Sequence, residues 1–212
     1  MVVDRDRLAV PALRLAPRLL GAVLVSTAGG DEVAVRLTEV EAYEGGDDPA
    51  SHAFRGRTRR TEVMFGPPGH LYCYFTYGMH WCANVVCGVD GRASAVLLRA
   101  GEVVRGLDAA RARRPTARSD AELARGPARL ATCLALGATQ NGVDLCDDRS
   151  AVRLESLPAR RSRAVQSGPR IGISVAQDHP WRFWLADDAS VSTFRTGARR
   201  RRGTARQTDG RD

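Results

Sequence analysis

Along this chain the spacing of apolar and polar residues changes from block to block, and each change predicts an element. Residues 11–20 open on a proline and are stopped by Gly21, which predicts a short helix. Residues 22–26, a Gly29-Gly30 turn and an alternating run from Val33 predict a hairpin. In its second strand Val33, Val35 and Leu37 share one parity, which continues through Glu39, Glu41 and Tyr43. Without a bulge, that parity turns Glu41 toward the face that buries the apolar residues, where a carboxylate needs a partner or a task. Residues 45–69 are polar and rich in glycine and arginine, the composition of a long functional loop over the sheet.

A second hairpin carries a sharper inference. Asp90-Gly91 is a strong two-residue turn signal, and it pairs Val89 with Arg92, Val86 with Ala95, Asn84 with Leu97 and Cys82 with Arg99. Asn84, Leu97, Cys82 and Arg99 then share one face, as in a pocket wall or as when an arginine covers a sheet edge. Upstream, Tyr77 stands beside Gly78 at a turn between strands. Residues 102–113 predict a helix ending before Pro115; Ser119 with Glu122 predicts a capping box for another, interrupted at Gly126-Pro127 and running to Gly137. Strands are predicted at residues 152–157, 171–175 and 181–185. The whole reads as α+β in one domain, residues 1–197, followed by a basic, disordered tail at 198–212 with four arginines at 199–202.

Composition narrows the partner. The chain has 212 residues, 43% of them hydrophobic and 26% charged, enough for one sizeable core. Its net charge of +8 favours a polyanion. All 32 basic residues are arginine, so no side-chain amine exists to form a Schiff base, and a lysine-dependent lyase is excluded. The amine of Met1 stands at the end of a polar segment, residues 1–7, which has nothing to order it in a pocket. Five cysteines without a C-x-x-C pair predict reduced thiols packed as small hydrophobes rather than a zinc site or a disulfide framework. Arginines interrupt every apolar run of residues 1–20, which matches neither a secretory segment nor a membrane span and predicts a cytoplasmic protein that does not enter membranes.

The chemistry-bearing residues are concentrated in residues 38–99. Glu41 and Tyr43 are followed by Ser51-His52-Ala53, Arg55-Gly56-Arg57-Thr58, Met64-Phe65, the aromatic run Leu71-Tyr72-Cys73-Tyr74-Phe75-Thr76-Tyr77-Gly78-Met79, then Asn84-Val85-Val86 and Ala95-Val96-Leu97-Leu98-Arg99-Ala100. This order of acid, aromatics, histidine, asparagine and arginine in a basic protein points to base chemistry on nucleic acid. It resembles the methylpurine (3-methyladenine, alkyladenine-type) DNA glycosylase family, from about residue 15 to about residue 185.

The resemblance implies a mixed, mostly antiparallel curved sheet with flanking helices and a protruding, DNA-intercalating hairpin, similar to the C-terminal domain of formyltransferases. It implies a monomeric, monofunctional, metal-independent enzyme without cofactor. Its partner would be double-stranded DNA containing alkylated or deaminated purines, 3-methyladenine chiefly, and its product an abasic site. By matching position, the catalytic carboxylate is Glu41 and not Glu39, which shares its parity. A carboxylate there stabilises the developing oxocarbenium ion and takes a proton from the attacking water. Arg99 supports it electrostatically. Tyr43, His52 and Tyr74 form the base pocket, where stacking is worth about 1–3 kcal/mol per base and a cationic purine gains cation–π attraction. Asn84 obstructs the exocyclic amine of guanine, Leu97 is an apolar wall, and Tyr77 fills the hole left by the extruded nucleotide.

Each residue also has a plainer reading: Tyr77 as a core aromatic, His52 as a structural imidazole, Arg99 as an ion-pair partner of Glu41, Asn84 as the partner of a sheet backbone group. The chain departs from the family where Thr-Pro-Arg-Asn-Arg is common, reading Thr58-Arg59-Arg60-Thr61-Glu62, and where Gly-Pro-x-Lys is usual, reading Gly126-Pro127-Ala128-Arg129. The first change puts the loop's conformation in question, while the second keeps the charge. Two other classes compete. A catalytically silent nucleic-acid-binding module would not keep an acid such as Glu41 beside DNA; a metal-dependent nuclease would need paired carboxylates and histidines at ligand spacing.

Overall fold

The computed structural model describes residues 1–155, 157 and 164–194; the tail expected at 198–212 lies outside them. The elements are α1 (Ala12–Leu19), β1 (Val23–Ser26), β2 (Val33–Tyr43), β3 (Leu71–Thr76), β4 (His80–Val86), β5 (Ala95–Arg105), α2 (Leu107–Arg113), β6 (Ala124–Arg125), α3 (Pro127–Cys133), β7 (Val152–Leu154), β8 (Val165–Gly168) and β9 (Arg182–Leu185). The sheet runs β3-β4-β5-β2-β1-β7, with β6 on β5 and β9 on β2, β8 beyond it. Every pairing among the described residues is antiparallel, so the sheet is not mixed as expected.

Helix α1 buries Ala12, Leu15, Ala16 and Leu19, the i, i+3, i+4, i+7 stripe of an amphipathic helix. Its first free amides are satisfied from elsewhere in the fold: Ala12 N–H donates to Ser94 Oγ at 3.1 Å and Leu13 N–H to Glu44 Oε1 at 2.8 Å. Leu15 and Leu19, with Leu130 and Cys133 of α3, join Val33, Val35, Leu37, Val85, Val96 and Leu98 in the main core on one face of the sheet. A smaller cluster of Ala53, Met64, Tyr72, Val86, Ala93 and Ala95 lies under the loop at residues 44–70, which contains 3-10 turns at Gly45–Asp47 and Glu62–Phe65.

The ladder between β2 and β5 holds the main departure from simple alternation. Leu37 pairs with Gly101 and Glu39 with Ala100, so Thr38 is an extra residue on β2; Val40 then pairs with Leu98, so Arg99 is an extra residue on β5. The core positions of β2 change accordingly from Val33, Val35 and Leu37 to Val40 and Ala42. Glu39, Glu41 and Tyr43 therefore face away from the main core, which corrects the unbroken-parity expectation for Glu41. The strands approach so closely here that a Cβ on Gly101 would collide with the Val35 side chain and the Arg36 carbonyl. The outer edge of β2 also changes partner at this point, from β1 at residues 33–36 to β9 at Glu39–Glu41.

The second hairpin has the expected register: Asn84 pairs with Leu97 and Val86 with Ala95, and Arg92 N–H closes the turn on Val89 O at 3.1 Å. The Cys82–Arg99 pairing does not form, because the bulge takes Arg99 out of the ladder. Other expectations fail for identifiable reasons. Residues 102–105 extend β5 instead of starting a helix, since β2 supplies their ladder partners; α2 begins only after Gly106, whose φ of 72° breaks the strand. Ser119 makes no side-chain cap, and only a 3-10 turn at Asp120–Glu122 follows it. Residues 171–175 form no strand; the strand of that region is β8, before them. Residues 1–7 are held outside the site, with Met1 exposed: Val2 bridges Glu155, Val3 is buried, and Arg5 Nη2 pairs with Asp144 at 2.5 Å. Four of the five cysteines are buried and all five are free thiols.

Candidate active site

The site occupies the face of β2–β5 opposite the main core. A cavity of about 460 Å³ is bounded by Tyr43, His52, Tyr72, Tyr74, Tyr77, Cys82, Asn84, Leu97, Arg99, Pro127 and the segment from Ile171 to Val175. All of the residues expected at the site line it except Glu41, which has no exposed surface.

Glu41 lies immediately behind the cavity wall, held by three donors. Tyr43 Oη donates to its Oε2 at 2.9 Å, Ile171 N–H donates to Oε1 at 2.7 Å, and Arg99 Nη1 stands 3.3 Å from Oε1. All three belong to residues of the cavity wall. Burial, then the charge of Glu41, pushes the Tyr43 hydroxyl well above the usual phenol range, so it remains a donor.

Glu39 is equally buried and does not line the cavity. Its Oε1 accepts from Arg99 Nε at 3.0 Å, Arg182 Nε at 2.6 Å and Ser192 Oγ at 2.9 Å; its Oε2 accepts from Ser192 N–H at 2.7 Å. Burial pushes its carboxyl up, but Arg99, Arg182 and these hydrogen bonds outweigh that and hold it below the ordinary glutamate value.

The aromatic part of the site is built on β3 and the loop before it. His52 meets Tyr74 edge-on with centroids 4.5 Å apart, and its Nδ1 lies 3.3 Å from Tyr72 Oη. Packing strips water from one side of the imidazole, and Arg60 adds its charge, so His52 is pushed toward its neutral form. Arg60 also stands 5.5 Å from the centroid of Tyr74. The divergent Thr58-Arg59-Arg60-Thr61 stretch forms a turn closed by its own threonines: Thr58 N–H donates to Thr61 Oγ1 at 2.9 Å, and Thr61 is buried. Asn84 is buried, lines the cavity, and donates Nδ2–H to its cross-strand neighbour Tyr72 O at 3.0 Å, the sheet-backbone partner of its plainer reading. Tyr77 is 79% exposed at the tip of the β3–β4 hairpin with φ of 52°, which removes the core reading.

Sequence reasoning missed Asp48, Arg170 and residues 171–175. Arg170 is buried, bonded through both terminal nitrogens to Asp48 at 2.5 and 2.8 Å, and donates to Ala42 O at 2.9 Å. Its guanidinium lies 4.6 Å from the Tyr43 centroid and 4.9 Å from that of Trp181, covering the rear of Tyr43. The available signal was an Asp before a proline and an Arg after one, 122 residues apart, which nothing local connects.

An aromatic-walled cavity beside a buried carboxylate and arginine, on a protein of net charge +8, is the equipment of a DNA glycosylase. The methylpurine-DNA glycosylase family model matches residues 6–189, and the chain belongs to that family. It is similar to proteins named "Putative 3-methyladenine DNA glycosylase" from Streptomyces avermitilis (53% identical, covering 95% of this chain and 96% of that protein) and Nocardia farcinica (52%, covering 93% and 94%). A similarly named Burkholderia cenocepacia protein is 48% identical, covering 85% of this chain and 86% of its own length. It is thus an enzyme of base-excision repair that acts on N-glycosyl bonds of DNA. Among the described residues, no helix is long and apolar enough to cross a membrane.

Proposed function

We propose that this protein works in the cytoplasm as a monomer, extruding alkylated purines, 3-methyladenine chiefly, from duplex DNA and hydrolysing the N-glycosidic bond to leave an abasic site. The sheet is read as the formyltransferase C-terminal-domain-like fold, with the β3–β4 hairpin as its DNA probe. The base enters the aromatic cavity and stacks on the open face of Tyr43, against Tyr74 and His52. Tyr77 fills the vacated stack. Asn84 stands where the exocyclic amine of guanine would project, and Leu97 closes the wall.

The observation that carries this reading is the set of three donors on Glu41. They fix the orientation of the carboxylate and leave lone-pair capacity on Oε2, which among the described residues accepts from Tyr43 alone. As the base departs, Glu41 takes a proton from water, the water oxygen bonds C1′, and the electron pair of the glycosidic bond leaves with the base. A methylated cationic base leaves without prior protonation. Because Glu41 has no exposed surface, DNA binding has to part the wall of Tyr43, Arg99 and Ile171 before water reaches it. The test is base release from duplexes bearing 3-methyladenine, 7-methylguanine, hypoxanthine or ethenoadenine. Release of methylated adenine with the strand intact is expected, and a protein that binds these duplexes but frees no base overturns the reading.

A further inference from the structure

Glu39, Glu41, Arg99 and Arg182 form one buried group, two carboxylates and two guanidiniums, on the cavity side of the sheet. Arg99 belongs to both carboxylates: its Nε is 3.0 Å from Glu39 Oε1 and its Nη1 3.3 Å from Glu41 Oε1. A guanidinium is planar, so fixing Nε on one acceptor fixes the directions of its other N–H groups. Glu39 is itself immobilised from the far side by Arg182 Nε at 2.6 Å and by the amide and hydroxyl of Ser192. Arg182 is held in turn by Ser192 O at 3.2 Å and by the Trp184 ring, 4.3 Å away.

We propose that Glu39 is a positioning residue for the reaction: it aims Arg99 at Glu41 and, balanced against Arg182, sets the net charge that Glu41 experiences. This inference rests on Glu41 as the base that activates water.

The other groups around Glu41 leave that balance to this cluster. Tyr43 on its own strand, Tyr74 from β3 and Cys82 from β4 are all held neutral by burial. The residues 170–171 segment supplies an uncharged N–H from Ile171, while Arg170, behind Tyr43, is matched by Asp48. In the native cluster two negative charges oppose two positive ones. Replacing Glu39 by Gln removes one negative charge, leaves an excess positive charge near Glu41, and makes its proton easier to lose. Replacing Arg182 by Gln does the reverse. The double replacement restores neutrality around Glu41 with different chemical groups.

The experiment is the pH dependence of single-turnover base release from duplex DNA containing 7-methylguanine, whose permanent positive charge removes any limb due to protonation of the leaving base. The wild type should lose activity on acidification as Glu41 is protonated. Glu39→Gln should move that limb down by roughly one pH unit, with a several-fold lower plateau because Arg99 is less well aimed. Arg182→Gln should move the limb up, and the double variant should return it to the wild-type position. A structural role alone lowers the plateau without moving the limb. Limbs that coincide in all folded variants, or both single shifts in one direction, overturn the inference while leaving Glu41 as base. If Glu39→Gln does not fold, the upward shift of Arg182→Gln decides alone: its absence overturns the inference. A wild type without an acidic limb, or a Glu41→Gln variant that retains both limb and rate, instead overturns the assignment of Glu41 and the inference with it.

Discussion

Thr38 on β2 and Arg99 on β5 are both extra residues of one antiparallel ladder, and they flank the single pair of Glu39 with Ala100. A bulge re-aims the side chains that follow it, and two in succession on opposite strands re-aim both strands. On β2 the result turns Glu39 and Glu41 out of the main core. On β5 it frees Arg99 from pairing so that its side chain reaches both carboxylates. The Thr38 hydroxyl is fixed by Ser190 Oγ at 2.8 Å, so the bulge is tied to the chain after β9.

Glu41→Gln should reduce base release by about 10²–10⁴-fold while leaving affinity for lesion DNA nearly unchanged, since the amide keeps the shape but takes no proton. Glu39→Gln at neutral pH should lose far less. Single-turnover rates and a binding titration on the same duplex check this, and equal losses in the two variants would assign the base wrongly.

Much of this site is legible in the sequence because its residues are local. The Asn84–Leu97 register follows from the Asp90-Gly91 turn, and Tyr43, His52, Tyr74 and Tyr77 lie in a stretch short enough to match a motif. The bulges are not legible, since alternation of Val33, Val35 and Leu37 continues through Glu39 and Glu41 without a mark in composition. Nor is Arg170, whose partner Asp48 is joined to it only by the folded chain. Residues 102–105 carry a helix-compatible pattern that strand pairing with β2 overrides, as tertiary context does with weak local preference.

Tyr77→Ala should weaken binding to duplex DNA and slow excision, since the exposed ring at the hairpin tip no longer fills the vacated stack. Stacking of about 1–3 kcal/mol corresponds to a loss of roughly five- to 150-fold. Thermal stability should not change, because the side chain packs against nothing in the core. The same lesion in single-stranded DNA should show a smaller loss. A variant with wild-type rate and affinity on duplex would remove Tyr77 from the mechanism.

Asn84→Ser should raise release of guanine and 7-methylguanine relative to 3-methyladenine, because the shorter side chain leaves room for the exocyclic amine. It should also cost about 1 kcal/mol of stability through the lost bond to Tyr72 O. The diagnostic quantity is the ratio of rates. A uniform decline across all bases would mean that Asn84 only holds β3 to β4.

Glu39 also gives the fold a dependence on acid. Its carboxyl is held below the ordinary value in the folded chain, so the unfolded chain takes up the proton first. The stability it contributes is therefore present above the unfolded value, about 4.5, and is lost as pH falls through the lower folded value. Glu39→Gln should lower stability at neutral pH and flatten its fall on acidification. Urea midpoints measured between about pH 6 and pH 3 read the difference. Parallel curves for the two proteins would show that Glu39 contributes nothing to the acid response.

The absence of lysine bears on the nucleophile. A glycosylase that also cleaves the strand attacks C1′ with an amine, forms an imine, and breaks the backbone by elimination; water activated by Glu41 gives only an intact abasic strand. All 32 basic side chains here are guanidiniums, so no side chain supplies a primary amine, and Met1 is where a main-chain amine is to be sought. Met1 is fully exposed and absent from the cavity wall, while Val2 and Val3 behind it are fixed beside Glu155 and Leu154 at the edge carrying β7. Borohydride added during turnover should therefore trap no covalent protein–DNA adduct, and the product strand should break only after alkali or heat. Recovery of an adduct in good yield, with the amine of Met1 as its point of attachment, would replace water as the nucleophile and require residues 1–3 to leave the position they hold in this fold.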